Sequence, residues 1–171
     1  AGGAVTTGTG NIGLGNDAGS STTTGSYNSS LGYNAQPTSA SADYQVTLGD
    51  GNITTLRCQV QSISALSDER DKTEIVDSPY GLDFINSTRP VQFKWQTREG
   101  LTLDGKTRIG FVAQELLSAT NGDNNILQLV LDENPEKLEA AYGNLLPIAI
   151  QAIKQLSAQN AELTTRITAL E

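Results

Sequence analysis

The composition of this chain limits which residues could do chemistry. Its 171 residues include no histidine and one cysteine, Cys58. Histidine is the usual general base and the commonest metal ligand, and a single thiol can form neither an internal disulfide nor a multi-thiolate zinc site. Catalysis would therefore have to use serine, lysine, aspartate or glutamate, and we expect no metal and no cofactor.

Those residue types come together in one stretch, Ser67-Asp-Glu-Arg-Asp-Lys72, immediately after Ala65-Leu66. A serine followed by acidic residues is typical of a helix N-cap, where the hydroxyl accepts a hydrogen bond from an unpaired backbone N–H. The same side chains could instead form a reactive site. The local pattern leaves both interpretations open, so the elements around the stretch must be considered.

The first part of the chain is a repeat. Residues 1–52 contain 11 of the 17 glycines and only three charged side chains. Three segments align without gaps at intervals of 17 residues, and a flexible linker of the same composition would need no such spacing. Each segment has a Leu-Gly pair, which predicts a short strand with one inward leucine, followed by a glycine that can turn at positive φ. The pairs are Leu14-Gly15, Leu31-Gly32 and Leu48-Gly49.

A single strand of this kind cannot bury its face alone, so the repeat predicts stacking. Either coils of one chain stack as a β-roll, or three chains wind around a common axis as a triple β-helix. Apolar residues form 37% of the chain and aromatic residues 5%, which is low for one monomeric core of this length and favours assembly. The absence of methionine predicts that the sequence is part of a longer chain.

The C-terminal part has coiled-coil spacing. Apolar residues recur at alternating intervals of three and four from a helix start near Leu145, and Pro147 fits the first turn of that helix. A helix packed on its own domain would show a wider stripe, so the spacing favours self-association. Isoleucine at a with leucine at d favours two chains, and asparagine at a does not fix their number. The seam consists of Leu146, Ala149, Ile153, Leu156, Asn160, Leu163, Ile167 and Leu170.

The middle of the chain predicts a small α+β domain, because segments of strand alternation and of helical spacing follow one another there. In Val91-Gln-Phe-Lys-Trp-Gln the apolar residues share one face, and Asp104-Gly105 is a strong turn pair. The predicted elements are helical turns over 80–87, strands over 91–96 and 108–112 with a hairpin connection over 101–106, a helix over 113–119, a strand over 126–131 and a return over 138–142.

The motifs from residue 67 to residue 171 resemble the C-terminal intramolecular chaperone, or auto-processing, domain of phage tailspikes and tail fibres, for which the endosialidase tailspike is the type. Each motif is weak alone, but their order and spacing together are specific. They are Ser67-Asp68-x-Arg70-x-Lys72 followed by Ile75, Pro90-Val-Gln-Phe-Lys-Trp95, Ile109-Gly-Phe-Val-Ala-Gln-Glu115, Tyr142 with Leu145-Leu146-Pro147, and the terminal heptads.

The resemblance implies a homotrimer whose C-terminal domain helps the upstream fibre of the same chain to fold and then releases itself by autoproteolysis between Leu66 and Ser67. It also implies Ser67 as nucleophile and Lys72 as base, and a chain without histidine needs such a pair. An ammonium cannot accept a proton, so burial or a nearby cation such as Arg70 must first favour the neutral lysine. Asp68 and Glu115 are candidate supporting residues that would orient water or Lys72.

The full prediction is an α+β chain with a Gly-rich trimeric β-stalk over 1–66, a chaperone domain over 67–171 and a coiled-coil helix from about residue 145. A trimer is preferred to the dimer that the heptads favour, because three chains also explain the Leu-Gly repeat. We expect the protein in a virion tail fibre or spike, with the released chaperone in the host cytoplasm.

Two alternatives from other functional classes stay open. One is a structural trimeric fibre, or adhesin stalk and tip, that never cuts and in which Ser67 only caps a helix. The other is a Ser-Lys hydrolase that acts on other proteins. The net charge of −8 argues against nucleic acid and anionic membranes as partners, and no stretch approaches the roughly 20 apolar residues of a membrane span.

Overall fold

The computed structural model of the protein describes residues 4–60, 62–96 and 103–170. Its contacts divide the chain into two compact units. The first unit consists of the described residues of 1–61, 94–107 and 132–137, and the second of those of 62–93, 108–131 and 138–171. Two short segments from the later part of the chain are therefore grouped with the repeat region.

The repeat region forms three short parallel strands, β1 (Ile12–Leu14), β2 (Ser29–Leu31) and β3 (Val46–Leu48). The strands pair in the order β1-β2-β3, with each leucine opposite the leucine 17 residues away. The predicted interval of 17 residues is confirmed by this register, and the three strands pair within one chain; each unit of 17 residues is called a coil below. The glycine after the leucine is needed for this approach, because Gly15 has φ +133° and a Cβ there would lie 2.4 Å from the Gly32 carbonyl oxygen.

Within one chain the leucines do not point into the interior of the repeat, and their burial between chains stays a prediction. Leu14 is 70% exposed, whereas Ser30, in the middle of β2, is 2% exposed. Side chains alternate along a strand, so the residue before each leucine takes the inner position. Because the coil backbones approach closely, small side chains fill that interior. Its buried residues include Ala18, Thr22, Asn28, Ser30, Ala35 and Ala42.

The second unit contains a hydrophobic core built by short helices and strands. The buried core residues are Phe84, Leu116, Leu127, Leu129, Val130 and Ile148. The described elements after the repeat are α1 (Leu82–Ser87), β4 (Val91–Lys94), β5 (Thr107–Gly110), α2 (Ala113–Ala119), α3 (Asn124–Leu127), β6 (Val130–Leu131), β7 (Glu139–Ala140) and α4 (Leu145–Thr168). β4 pairs with β5, and β6 pairs with β7.

The long helix α4 begins at Leu145, as predicted, and presents two different faces. Ile148 and Ala152 are buried, and the Oε1 atom of Gln155 accepts a hydrogen bond from the Leu82 backbone N–H at 2.7 Å. The seam residues lie on another face, where Ile153 is 69% exposed. The first turns of α4 therefore pack on α1 without using the heptad seam.

Three details of the predicted domain need correction or restriction. The predicted strand over 126–131 is instead the end of α3 followed by β6, because Gln128 adopts a left-handed conformation that ends α3. The predicted helical turns over 80–87 form the shorter helix α1, in which Phe84 is buried and Leu82 and Ile85 are partly buried. The predicted hairpin connection lies partly outside the described residues, but within them the Lys106 N–H donates to Asp104 Oδ1 at 3.0 Å, as in a turn.

The small sheets and the long C-terminal helix confirm the α+β class. The trimeric β-stalk concerns contacts between chains and stays a prediction. Across the three described ranges, no helix has both the length and the apolar character to cross a membrane. Within the same ranges, no three metal-ligating side chains of the His, Cys, Asp and Glu types are grouped to hold an ion.

Candidate functional site

The Ser67–Lys72 stretch folds into one tight turn. Residues Glu69–Asp71 form a 3-10 helix, in which the Asp71 N–H donates to the Asp68 carbonyl at 3.2 Å and the Lys72 N–H donates to the Glu69 carbonyl at 3.1 Å. The N-cap is Asp68, whose carboxylate accepts the Arg70 backbone N–H at 2.9 Å. The interpretation of Ser67 as the helix cap is therefore wrong, and the serine hydroxyl is not used for capping.

The turn brings the two predicted catalytic side chains together. Lys72 Nζ donates a hydrogen bond to Ser67 Oγ at 2.6 Å. The two residues are five positions apart, and the 3-10 helix between them returns the chain far enough for their side chains to meet. A nucleophile and a base within hydrogen-bond distance are the first geometric requirement for activating a serine.

Arg70 is engaged by the capping aspartate. Its Nε donates to Asp68 Oδ1 at 2.9 Å and its Nη2 to Asp68 Oδ2 at 2.6 Å, a bidentate ion pair. The Arg70 side chain, followed by the Arg70 backbone N–H, lowers the pKa of Asp68 below its ordinary 3.8. The same side-chain hydrogen bond raises the pKa of the Arg70 guanidinium. Arg70, the cation expected to favour a neutral Lys72, is therefore paired with Asp68, which offsets its charge and holds its side chain against the turn.

Glu115 has a different partner from the one expected. Arg89 Nε donates to Glu115 Oε2 at 3.0 Å, and Arg89 Nη2 donates to the other carboxylate oxygen. This pair links the start of β4 to α2, and the Glu115 carboxylate raises the pKa of Arg89. Its role in orienting Lys72 or water stays a prediction, while the ion pair gives Glu115 a structural task.

The bond before Ser67 is open to solvent. Leu66 is fully exposed at 101%, and every described residue from 62 to 79 is exposed. The pair is therefore positioned by the local turn and not by a surrounding pocket. In a single chain the geometry of a serine-lysine pair is present, but the low-dielectric environment that favours a neutral lysine is not.

Comparison with known families identifies the segment that carries this turn. Residues 67–123 match the family model described as chaperone of endosialidase, a peptidase family. The predicted family is confirmed for this segment. The match covers about a third of the chain and begins at Ser67. The later motifs, from Tyr142 through the heptads, lie outside it. No curated protein and no solved structure gave a significant match.

Sequence reasoning missed two roles at this site. The Asp68 carboxylate caps the turn and binds Arg70, while its role in orienting water or Lys72 stays a prediction. An Asp two residues before an Arg is a recognisable signal for such a local pair. The second role is that of Arg89, which forms the ion pair with Glu115. Its partner is 26 residues away, and no local pattern predicts that contact.

Proposed function

We propose that this protein is the trimerisation and folding chaperone of a phage tail fibre or tailspike, and that it releases itself by cutting its own chain between Leu66 and Ser67. The observation that carries the proposal is the 2.6 Å contact between Lys72 Nζ and Ser67 Oγ at the start of the segment that matches the chaperone of endosialidase family. The match begins at Ser67, which would be the new N-terminus, and this supports the position of the cut.

In the proposed reaction Ser67 Oγ attacks the carbonyl carbon of Leu66 while neutral Lys72 takes the hydroxyl proton. The Leu66–Ser67 C–N bond breaks, its nitrogen receives that proton, and an ester joins Leu66 to Ser67 Oγ. One water molecule then hydrolyses the ester to a Leu66 carboxylate and a free Ser67. In the direct route, water attacks the same carbonyl without the ester. Hydroxylamine distinguishes the routes, because it converts an accumulating ester to a Leu66 hydroxamate.

Assembly supplies what the single chain lacks. Lys72 is exposed, and its amine must be shielded from water before it can act as a base. Other copies of the chain could provide this shielding on assembly. Two apolar surfaces support association. One is the seam of α4, and the other is the outer row of the repeat, where large apolar side chains line up across the coils. That row consists of Ile12, Leu14, Leu31, Val46 and Leu48.

The proposed trimer places a Gly-rich β-stalk before the chaperone, as a β-roll or a triple β-helix. Three chains around one axis would cover the outer apolar row, and α4 would join them as a coiled coil. The upstream fibre of the same chain is the substrate for folding. The mature fibre or spike would belong to the virion tail, and the released piece would stay in the host cytoplasm.

The test is a refolding time course followed on denaturing gels. The parent chain is expected to divide as it assembles, whereas Ser67→Ala lacks the nucleophile and Lys72→Ala lacks the base, so both stay whole. Lys72→Arg keeps a cation but offers no base at neutral pH, so it also stays whole. Ser62→Ala and Lys154→Ala are matched controls at exposed positions and should cut at the parent rate. A parent chain that assembles and stays whole would instead favour the non-cleaving fibre or adhesin stalk.

A further inference from the structure

One side chain of the repeat departs from the pattern that holds the coils together. Asn11, Asn28 and Gln45 occupy the same position in successive coils. Asn11 Oδ1 accepts the Asn28 backbone N–H at 2.9 Å, and Asn28 Oδ1 accepts the Gln45 backbone N–H at 3.0 Å. Their amide nitrogens donate to carbonyls that are also 17 residues apart, Gly25 and Ala42. In the first two coils this side chain therefore fixes the next coil.

In the third coil Gln45 directs its longer side chain to other partners. Its Oε1 accepts the Thr38 backbone N–H at 2.9 Å, and its Nε2 donates to Thr38 Oγ1 at 2.7 Å. The same Nε2 donates to Glu133 Oε2 at 2.9 Å, and Thr38 Oγ1 donates to that oxygen at 2.7 Å. Asn134 Nδ2 adds a bond to the Thr38 carbonyl at 3.2 Å. One carboxylate oxygen thus receives two donors from the third coil.

All of these residues belong to the first compact unit, although Glu133 and Asn134 are supplied by the segment 132–137. The arrangement is particular to the third coil, because the positions 17 residues before Thr38 and Gln45 are Ser21 and Asn28. An asparagine is one methylene shorter than a glutamine. With Asn at position 45, the amide cannot span the distance to both Thr38 and the carboxylate in this geometry.

We propose that the segment 132–137 is a docking segment for the third coil, with Gln45 as the residue that determines its specificity. The inference rests on the proposed function in one respect. A cut after Leu66 would leave the docking segment on the C-terminal piece and the third coil, to which it binds, on the N-terminal piece. The contact then holds the two pieces together after the peptide bond is broken. Cutting and release are thereby separate steps.

The experiment makes the cut independently of Ser67. A recognition sequence for a site-specific protease is inserted between Thr55 and Leu56, in an exposed stretch, in the full Ser67→Ala chain. After complete cutting, dissociation of the pieces on serial dilution is followed by size-exclusion chromatography. The pieces should stay together, and Glu133→Ala and Gln45→Asn should each weaken the complex by roughly tenfold, since hydrogen bonds to a charged group are lost.

Glu139→Ala makes the same charge change at an exposed position outside the docking segment and should leave the complex intact. Gln45→Asn restores the residue of the other two coils, so coil stacking should persist in that variant. The proposal is overturned if the unsubstituted pieces separate as soon as they are cut, or if both variants bind as tightly as the parent. Failure of self-cleavage is detected separately in the refolding time course and does not alter this result.

Discussion

Ser67 and Asp68 divide two tasks within one turn. The Asp68 carboxylate caps the 3-10 helix and binds Arg70, which frees the Ser67 hydroxyl to meet Lys72. A capping serine would have its oxygen engaged by a backbone N–H. The geometry of the proposed reactive pair therefore depends on a residue that takes no part in the bond-making step.

Removal of the cap should slow self-cleavage without abolishing it. In Asp68→Ala the turn loses both its cap and the partner of Arg70, so Ser67 and Lys72 meet less often. We expect the cleavage rate to fall roughly twofold to tenfold, as for the loss of an exposed cap. Asp71→Ala removes the same charge from the same turn and should cut at nearly the parent rate. Equal rates for Asp68→Ala and the parent would show that the turn does not position the pair.

Acid should weaken the same turn. Because the pKa of Asp68 is lowered in the folded chain, its contribution is complete above its ordinary pKa of 3.8 and is lost as the pH falls through the lower, folded value. The cap is therefore fully charged at neutral pH, where cleavage would be measured.

Tyr80 predicts a response to alkaline pH in the second unit. Its hydroxyl donates to Asp123 Oδ2 at 2.8 Å, and this bond, followed by burial and the nearby charge, raises the pKa of Tyr80 above its ordinary 10.0. The stabilisation is present below that ordinary pKa and lost as the pH rises through the raised value. Urea unfolding followed by the helical circular dichroism signal should show a larger loss between about pH 9 and about pH 11 for the parent than for Tyr80→Phe.

Tyr33→Phe is the matched control for this measurement, because Tyr33 is 64% exposed and lies in the repeat region. It should keep the parent's alkaline dependence. A Tyr80→Phe chain with that same dependence would mean that the bond to Asp123 contributes nothing to the pH response.

At the scale of elements, α4 uses one face to pack within the second unit and a different face, the heptad seam, for the predicted association. Ile148 and Ala152 are buried within the second unit, whereas the seam residues lie on another face and are exposed except for the partly buried Ala149. The period of the seam was readable from the sequence because strict alternation of three and four is rare in other helices. The face that packs on the second unit could not be predicted in this way, because Ile148 and Ala152 are only two apolar residues and give no periodic pattern separate from the seam beside them.

A charge on the seam should therefore abolish association and leave the unit folded. Ile153→Asp places a carboxylate at an a position, where burial in the coiled coil would be costly. We expect the assembly to fall to monomers in sedimentation equilibrium while the helical signal is kept. In the proposed mechanism the other chains of the assembly shield Lys72 from solvent, so the rate of self-cleavage should fall when the assembly is lost. Ala158→Asp, at an outer f position, is the control. A trimeric Ile153→Asp chain would exclude the seam as the association surface.

At the scale of the whole molecule, the sequence predicted the repeat better than it predicted what the repeat buries. The interval of 17 residues is a property of spacing and needs no knowledge of partners. The face of a three-residue strand that turns inward depends on how closely neighbouring coils approach each other. Ser30 is buried between the coils, whereas Leu31 is exposed. The same limit applies to Gln45, whose distant partner in the segment 132–137 has no local signature.

The two-part organisation has a kinetic rationale. A β-structure made from three chains has high contact order, because each chain must find two others in register before native contacts form. A coiled coil that associates first raises the local concentration of the other chains. If the proposed cut removes the chaperone after folding, the fibre could not return to the unfolded state by the same route, and its lifetime would be set by its unfolding rate.

The central claim is a single cut before Ser67 in the assembled protein, and intact mass measured during refolding tests it most directly. The account predicts that the 18.1 kDa parent is replaced by two species, residues 1–66 and residues 67–171, with Ser67 as the new N-terminus. A parent that refolds, associates and keeps its mass, or that is cut at any other bond, would contradict it.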